Sequence, residues 1–133
     1  MLRWTPARRR PALVTLLLTF AGCARQDQQI QQHNDAFASL AETAAALGDA
    51  WLGGAVSGTY TMTAFDRTRR LVEQERTSLA AASSMLADPR GASLSQDAER
   101  LSRLLALLVQ DVRDADADRA RGHLAALPLR RHR

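Results

Sequence analysis

A single cysteine, Cys23, occurs in the 133 residues, so the chain has no intrachain disulfide, and its fold depends on an apolar core. Aromatics make up only 5% of the sequence, and beyond residue 23 they reduce to Phe37, Trp51, Tyr60 and Phe65. Alanine and leucine must fill the interior instead, which favours helices at close approach. Only three histidines are present, His33, His123 and His132, and none lies four residues from another His or from the Cys. Metal-ligand spacing is therefore missing, and no metal or other cofactor is expected. No alternating β pattern, glycine-rich repeat or fixed-period repeat occurs. The uncharged run at residues 12–22 is about half of the ~20 apolar residues a membrane-spanning helix needs. Lysine is absent altogether.

The N-terminus carries three coupled features. Arg3, Arg8, Arg9 and Arg10 form a basic region with no acid. An apolar stretch follows at residues 12–20, and Ala21 and Gly22 then stand directly before Cys23. This is the order of a secretion signal. Pro11 and Ala12 follow the arginines where a twin-arginine motif would continue differently, so the general secretion route is expected.

Phe20-Ala21-Gly22-Cys23 resembles the lipobox of bacterial lipoproteins, with Phe20 in the place usually held by an aliphatic residue. The resemblance covers about the first 23 residues. It implies diacylation of the Cys23 sulfur, cleavage before Cys23 and acylation of the new amino group. Small residues let the backbone enter a peptidase cleft, and the thiol is the nucleophile that accepts the diacylglycerol. Ala24 in place of Asp implies, by the same resemblance, transfer to the periplasmic face of the outer membrane in a two-membrane host. Murein-linked lipoproteins attach through a C-terminal lysine, which this chain lacks. The Leu-Thr-x-x-Gln motifs of helical metal-responsive periplasmic chaperones are also missing.

Cleavage would leave 111 residues, one small domain. Four of the 18 arginines and none of the 14 acids precede Cys23, so the remainder carries 14 of each and no net charge. The formal +4 thus belongs to the signal and gives no warrant for nucleic-acid binding. The expected organisation is a signal over 1–22, an acylated Cys and short tether over 23–29, a helical bundle over 30–127 and a basic tail over 128–133.

Three heptad-like stripes predict the fold. The first runs Ile30, His33, Phe37, Leu40, Ala44, Leu47 and Trp51, and Gly53-Gly54 ends it. Ser57 or Thr59 caps the second, which runs Phe65, Thr68, Val72, Glu75, Leu79, Ala82 and Leu86, flanked by Leu71 and Met85. Asp66–Arg70 and Arg69–Glu73 are spaced to pair on its outer face. Pro89 stops it, and Ser93 with Gln96 opens the third helix. Leu94, Ala98, Leu101, Leu105, Leu108, Val112 and Ala115 keep its heptad spacing, with Leu104 and Val109 widening the stripe and Leu107 outside it. Ala120, Leu124 and Leu127 resume one position later, and Pro128 ends the element. The expected class is all-α, an elongated antiparallel three-helix bundle.

Candidate chemistry is sparse. Asp114-Ala-Asp-Ala-Asp118 opens like a calcium loop, but Arg119 and Ala125 occupy the positions that need Gly and Glu. Asp111, Asp114, Asp116 and Asp118 are therefore expected on a solvated face shared with Arg113, Arg119 and Arg121. His33 lies on the first stripe and is placed to meet Glu75 across the bundle. No serine sits in a glycine-flanked elbow, and no two carboxylates are paired for acid–base work, so no catalytic residue is assigned. The basic tail suits contact with anionic lipid. The expected function is a non-catalytic interaction or spacer module, held to membrane lipid through acylated Cys23 and meeting an envelope protein or another copy through helix three. The competing expectation is a small-ligand or metal site inside the bundle around His33 and Glu75.

Overall fold

The computed structural model describes residues 12–128, with side chains from residue 22 onward. The arginine-rich segment before Ala12, the apolar side chains of 12–20 and the basic tail beyond Pro128 lie outside what is described. The chain is all-α, with no strand among the described residues. Among the described residues five helices replace the three expected: α1 (Ala12–Leu52), α2 (Gly58–Ala81), α3 (Ser83–Ala87), α4 (Pro89–Arg113) and α5 (Ala117–Ala125).

The helix α1 is continuous for 41 residues, roughly 60 Å at 1.5 Å per residue. The expected tether at 23–29 is therefore helical, because Ala, Arg and Gln are all good helix formers and no Gly or Pro interrupts them. It ends as its glycines predict. Gly54 takes φ 76°, and the Ala55 N–H reaches back to the Ala50 carbonyl at 2.9 Å, the wide bond of a Schellman stop.

Ser57 caps α2, its hydroxyl accepting the Tyr60 N–H at 3.2 Å. Phe65, Thr68, Val72 and Leu79 face the core as expected, joined by Thr61. Both buried threonines donate to their own i−4 carbonyls, Ser57 O and Ala64 O, at 2.8 Å each, so neither hydroxyl is left unsatisfied. On the outer face Arg70 meets Asp66 at 2.7 Å, but Glu73 takes Arg76 at 2.9 Å in place of the expected Arg69.

The second stripe fails beyond Leu79. Ala82 leaves the helical region at φ −101°, ψ 89°, and a new five-residue helix follows. The break resets the register, so Met85 is buried and Leu86 is 37% exposed, the reverse of the expectation. Pro89 acts as a starter and not as a stop. Asp88 is the N-cap, accepting the Arg90 N–H at 2.9 Å, and Pro89 occupies the first turn, where its missing N–H costs nothing. The third helix thus opens four residues before Ser93.

The α4 stripe is as read: Leu94, Ala98, Leu101, Leu105, Leu108 and Val112 are buried, and Leu107 is 46% exposed. Its end differs. Ala115 lies in the left-handed region at φ 52°, and the Asp116 N–H bonds to the Asp111 carbonyl at 2.9 Å. This is a second Schellman stop, built on alanine where glycine is usual. A left-handed alanine costs about 1–2 kcal/mol, part of which glycine forfeits through its freer unfolded chain. Ala115→Gly is therefore expected to stabilise by roughly 0.5–1 kcal/mol. An unchanged or lower thermal midpoint would show that this turn carries no such strain.

The chain reverses at this stop, and Ala120, Leu124 and Leu127 pack inward from α5 and its end. An added Cβ at Gly48 would lie 2.5 Å from both Leu124 methyls, so the missing side chain on α1 is what admits Leu124. On α1 the buried set is Ile30, Phe37, Ala38, Ala41, Ala44 and Ala45. Leu40, Leu47 and Trp51, expected at the centre of the stripe, pack only at its margin. The contact line follows the small residues because α1 meets α2, α4 and α5 together, and close approach favours alanine.

Candidate functional site

Cys23 lies exposed on the outside of α1, about two turns before the first buried side chain, Ile30. The helix is tied down within one turn of it. Gln26 Nε2 donates to the Ser84 carbonyl of α3 at 3.2 Å, and Asp27 pairs with Arg90 of α4. Arg90 also holds the capping carboxylate of Asp88 at 2.8 Å. Asp88 and Asp27 both raise the Arg90 pKa, and Arg90 holds Asp88 below the usual carboxylate range. The thiol thus stands beside the end of the bundle built from α3 and the first turn of α4, while α1 itself begins earlier, at Ala12.

The expected His33–Glu75 meeting occurs. Nδ1 of His33 lies 2.6 Å from Glu75 Oε1, with both side chains partly buried. A shallow groove of about 330 Å³ opens beside the pair. Ala36, Ser39, Leu40, Leu71, Gln74 and Glu75 line it. His33 is not among these residues, and its described contact is the bond that joins α1 to α2.

A second histidine–carboxylate pair was not foreseen. Asp111 is only 2% exposed, which corrects its placement on a solvated face. His123 Nδ1 approaches Asp111 Oδ2 at 2.5 Å, and Arg119 Nε stands 3.5 Å from Oδ1. Arg119 also reaches Asp114 and Asp116, each at 2.8 Å. Asp114 is held below the ordinary carboxylate range by the Gln110 amide and by Arg119, and Arg119 is raised, chiefly by Asp114. Asp116 caps α5 through the Arg119 N–H at 3.0 Å. Three acids of the run therefore form a clasp: Asp111 receives α5, and Asp114 and Asp116 neutralise the arginine that closes the turn, while Asp118 stays exposed and pairs with Arg121. A buried carboxylate without such partners would be costly.

A third carboxylate also works between helices. Ser102 on α4 and Arg76 hold Glu73 below the usual range, the serine contact being the larger cause. Among the described residues no group of three or more His, Cys, Asp or Glu is arranged to hold a metal ion. No described helix is long and apolar enough to cross a membrane. An apolar groove of about 430 Å³ between α1 and α2 is open and edged by Leu47, Leu71 and Tyr60, the last 59% exposed. Comparison with protein-family models, with curated proteins and with solved structures finds no match to this chain.

Proposed function

We propose that the chain is a lipid-anchored helical protein of the bacterial cell envelope, acting as a non-catalytic interaction or spacer module. In this reading Cys23 carries the anchor, and α1, α2 and α4 form an elongated antiparallel three-helix bundle elaborated by α3 and α5. The observation that carries it is the sole thiol, exposed beside the α3 end of the bundle and directly preceded by Ala21-Gly22 and an apolar, arginine-led segment. An exposed thiol is free for acylation, whereas a core cysteine would be withheld from an enzyme. Two or more acyl chains anchor stably where one is marginal. The non-catalytic part of the reading is supported by His33 and His123, whose described contacts with Glu75 and Asp111 join helices to one another.

Cys23→Ser is expected to accumulate as unprocessed precursor and to take up no labelled fatty acid. The wild type should fractionate with the outer membrane in a two-membrane host. Normal-sized mature protein from the mutant would overturn the lipoprotein reading. Stable recovery of the wild type in the inner membrane would overturn the placement that follows from Ala24.

A further inference from the structure

Residues 77–87 contain no charged side chain, in a chain that is 24% charged. They comprise the end of α2 and all of α3. Within them Leu86 is 37% exposed, while its neighbour Met85 is buried and fastens α3 to the core. Cys23 lies on α1 close to the level of α3. Gln26, three residues on, is hydrogen-bonded to Ser84 of α3, and Asp27 is paired with Arg90 at the start of α4. At 1.5 Å per residue, Cys23 lies only about 4.5 Å along the helix from the level of Ser84. No slack chain separates the thiol from α3.

We propose that α3 is a second membrane contact, with Leu86 resting at the headgroup level of the bilayer that holds the acyl chains of Cys23, so that the protein stands end-on. The proposal rests on the lipoprotein reading above. Its physical basis is geometric. Acyl chains on Cys23 fix that residue at the lipid surface, and the Gln26–Ser84 and Asp27–Arg90 contacts carry α3 to the same depth. An apolar side chain at the interface loses water contact at no cost to the fold, and small uncharged neighbours pay little desolvation. The opposite end, with the exposed turn at Gly53 and Gly54, is far off. Trp51 lies 28 residues along α1 from Cys23, roughly 42 Å.

Trp51 is the only tryptophan beyond the cleavage site, which supplies both a probe and a control. The experiment uses the full chain, expressed and acylated in a bacterial host and reconstituted into phosphatidylethanolamine–phosphatidylglycerol vesicles. A fraction of the lipid carries bromine at carbons 6 and 7 of one acyl chain, which quenches nearby indole. Trp51→Phe/Leu86→Trp is compared with the wild type, and Trp51→Phe/Ala87→Trp serves as a second variant should the first lose helicity. The expected result is emission from position 86 or 87 falling about twofold or more, with Trp51 of the wild type unchanged. Flotation with the vesicles and the mass of the acylated protein are recorded for each sample. Protein that floats and carries lipid but shows no quenching at 86 or 87 overturns end-on docking and leaves the lipoprotein reading intact. Equal quenching at both ends overturns it in favour of a molecule lying along the surface. Protein of unacylated mass that does not float removes the lipoprotein reading, and this proposal falls with it.

Discussion

Truncation of Leu105 or Leu108 to alanine is expected to cost about 2–5 kcal/mol each, through lost transfer energy and the cavity left behind. Both side chains are fully buried, on the helix that packs most extensively against α2. A disulfide-free domain of 111 residues has about 5–10 kcal/mol in total, so the double variant should be largely unfolded. Leu107, 46% exposed, supplies the internal comparison. Leu107→Ala should stay within about 0.5 kcal/mol, as surface substitutions do. Circular dichroism melting of the soluble domain from Ala24 onward, at several concentrations, separates the cases. Equal and mild effects at 105 and 107 would refute the assignment of the α4 face. A loss at 107 that depends on concentration would instead place that side of α4 in an interface between copies.

The second large effect is expected at Gly91, buried in the first turns of α4. A Cβ there would stand 1.8 Å from the Met85 carbonyl oxygen and 2.7 Å from its carbonyl carbon. The obstacle is backbone, so no rotamer change relieves it. Either α3 or the start of α4 must move, and the Asp88 cap and the Arg90 bridge to Asp27 move with them. Gly91→Ala is expected to destabilise by about 3 kcal/mol or more, at the upper end of overpacking costs. Gly48→Ala is the useful contrast. Its added Cβ also meets atoms at 2.5 Å, but these are the methyl ends of Leu124, which can turn away. Its cost should be smaller, about 1–2 kcal/mol. If Gly91→Ala melts like the wild type, α3 does not pack against α4 as described.

Sequence pattern located the helices better than it located their ends. The α4 stripe from Leu94 to Val112 was legible in full because leucine recurs there at strict three–four spacing. The α1 stop at Gly53-Gly54 was legible for the same kind of reason, since glycine marks a left-handed turn by its chemistry alone. The stop at Ala115 carried no such mark, because nothing about alanine announces φ 52°. Its only trace was the one-residue slip in register before Ala120. Missing that turn hid the clasp as well. On a continuous helix, Asp111 and His123 would stand about 18 Å apart along the axis. The reversal brings them into contact. His33 and Glu75 were found because each lies on an unbroken stretch of its own helix.

What the sequence determined by itself was the all-α class, the α4 core face and the glycine stop after α1, with the α2 cap narrowed to Ser57 or Thr59, of which the structure uses Ser57. These follow from periodicity and from residue chemistry acting over one or two turns. Tertiary structure alone decided the break at Ala82 that buries Met85 and exposes Leu86, and the burial of Asp111. The break at Ala82 and the burial of Asp111 depend on neighbours distant in the chain, whereas the Asp88–Pro89 start is a local cap that Pro89, taken as a stop, had masked. Local propensities differ by only about 1 kcal/mol per residue, and burying one Met or satisfying one carboxylate outweighs that difference.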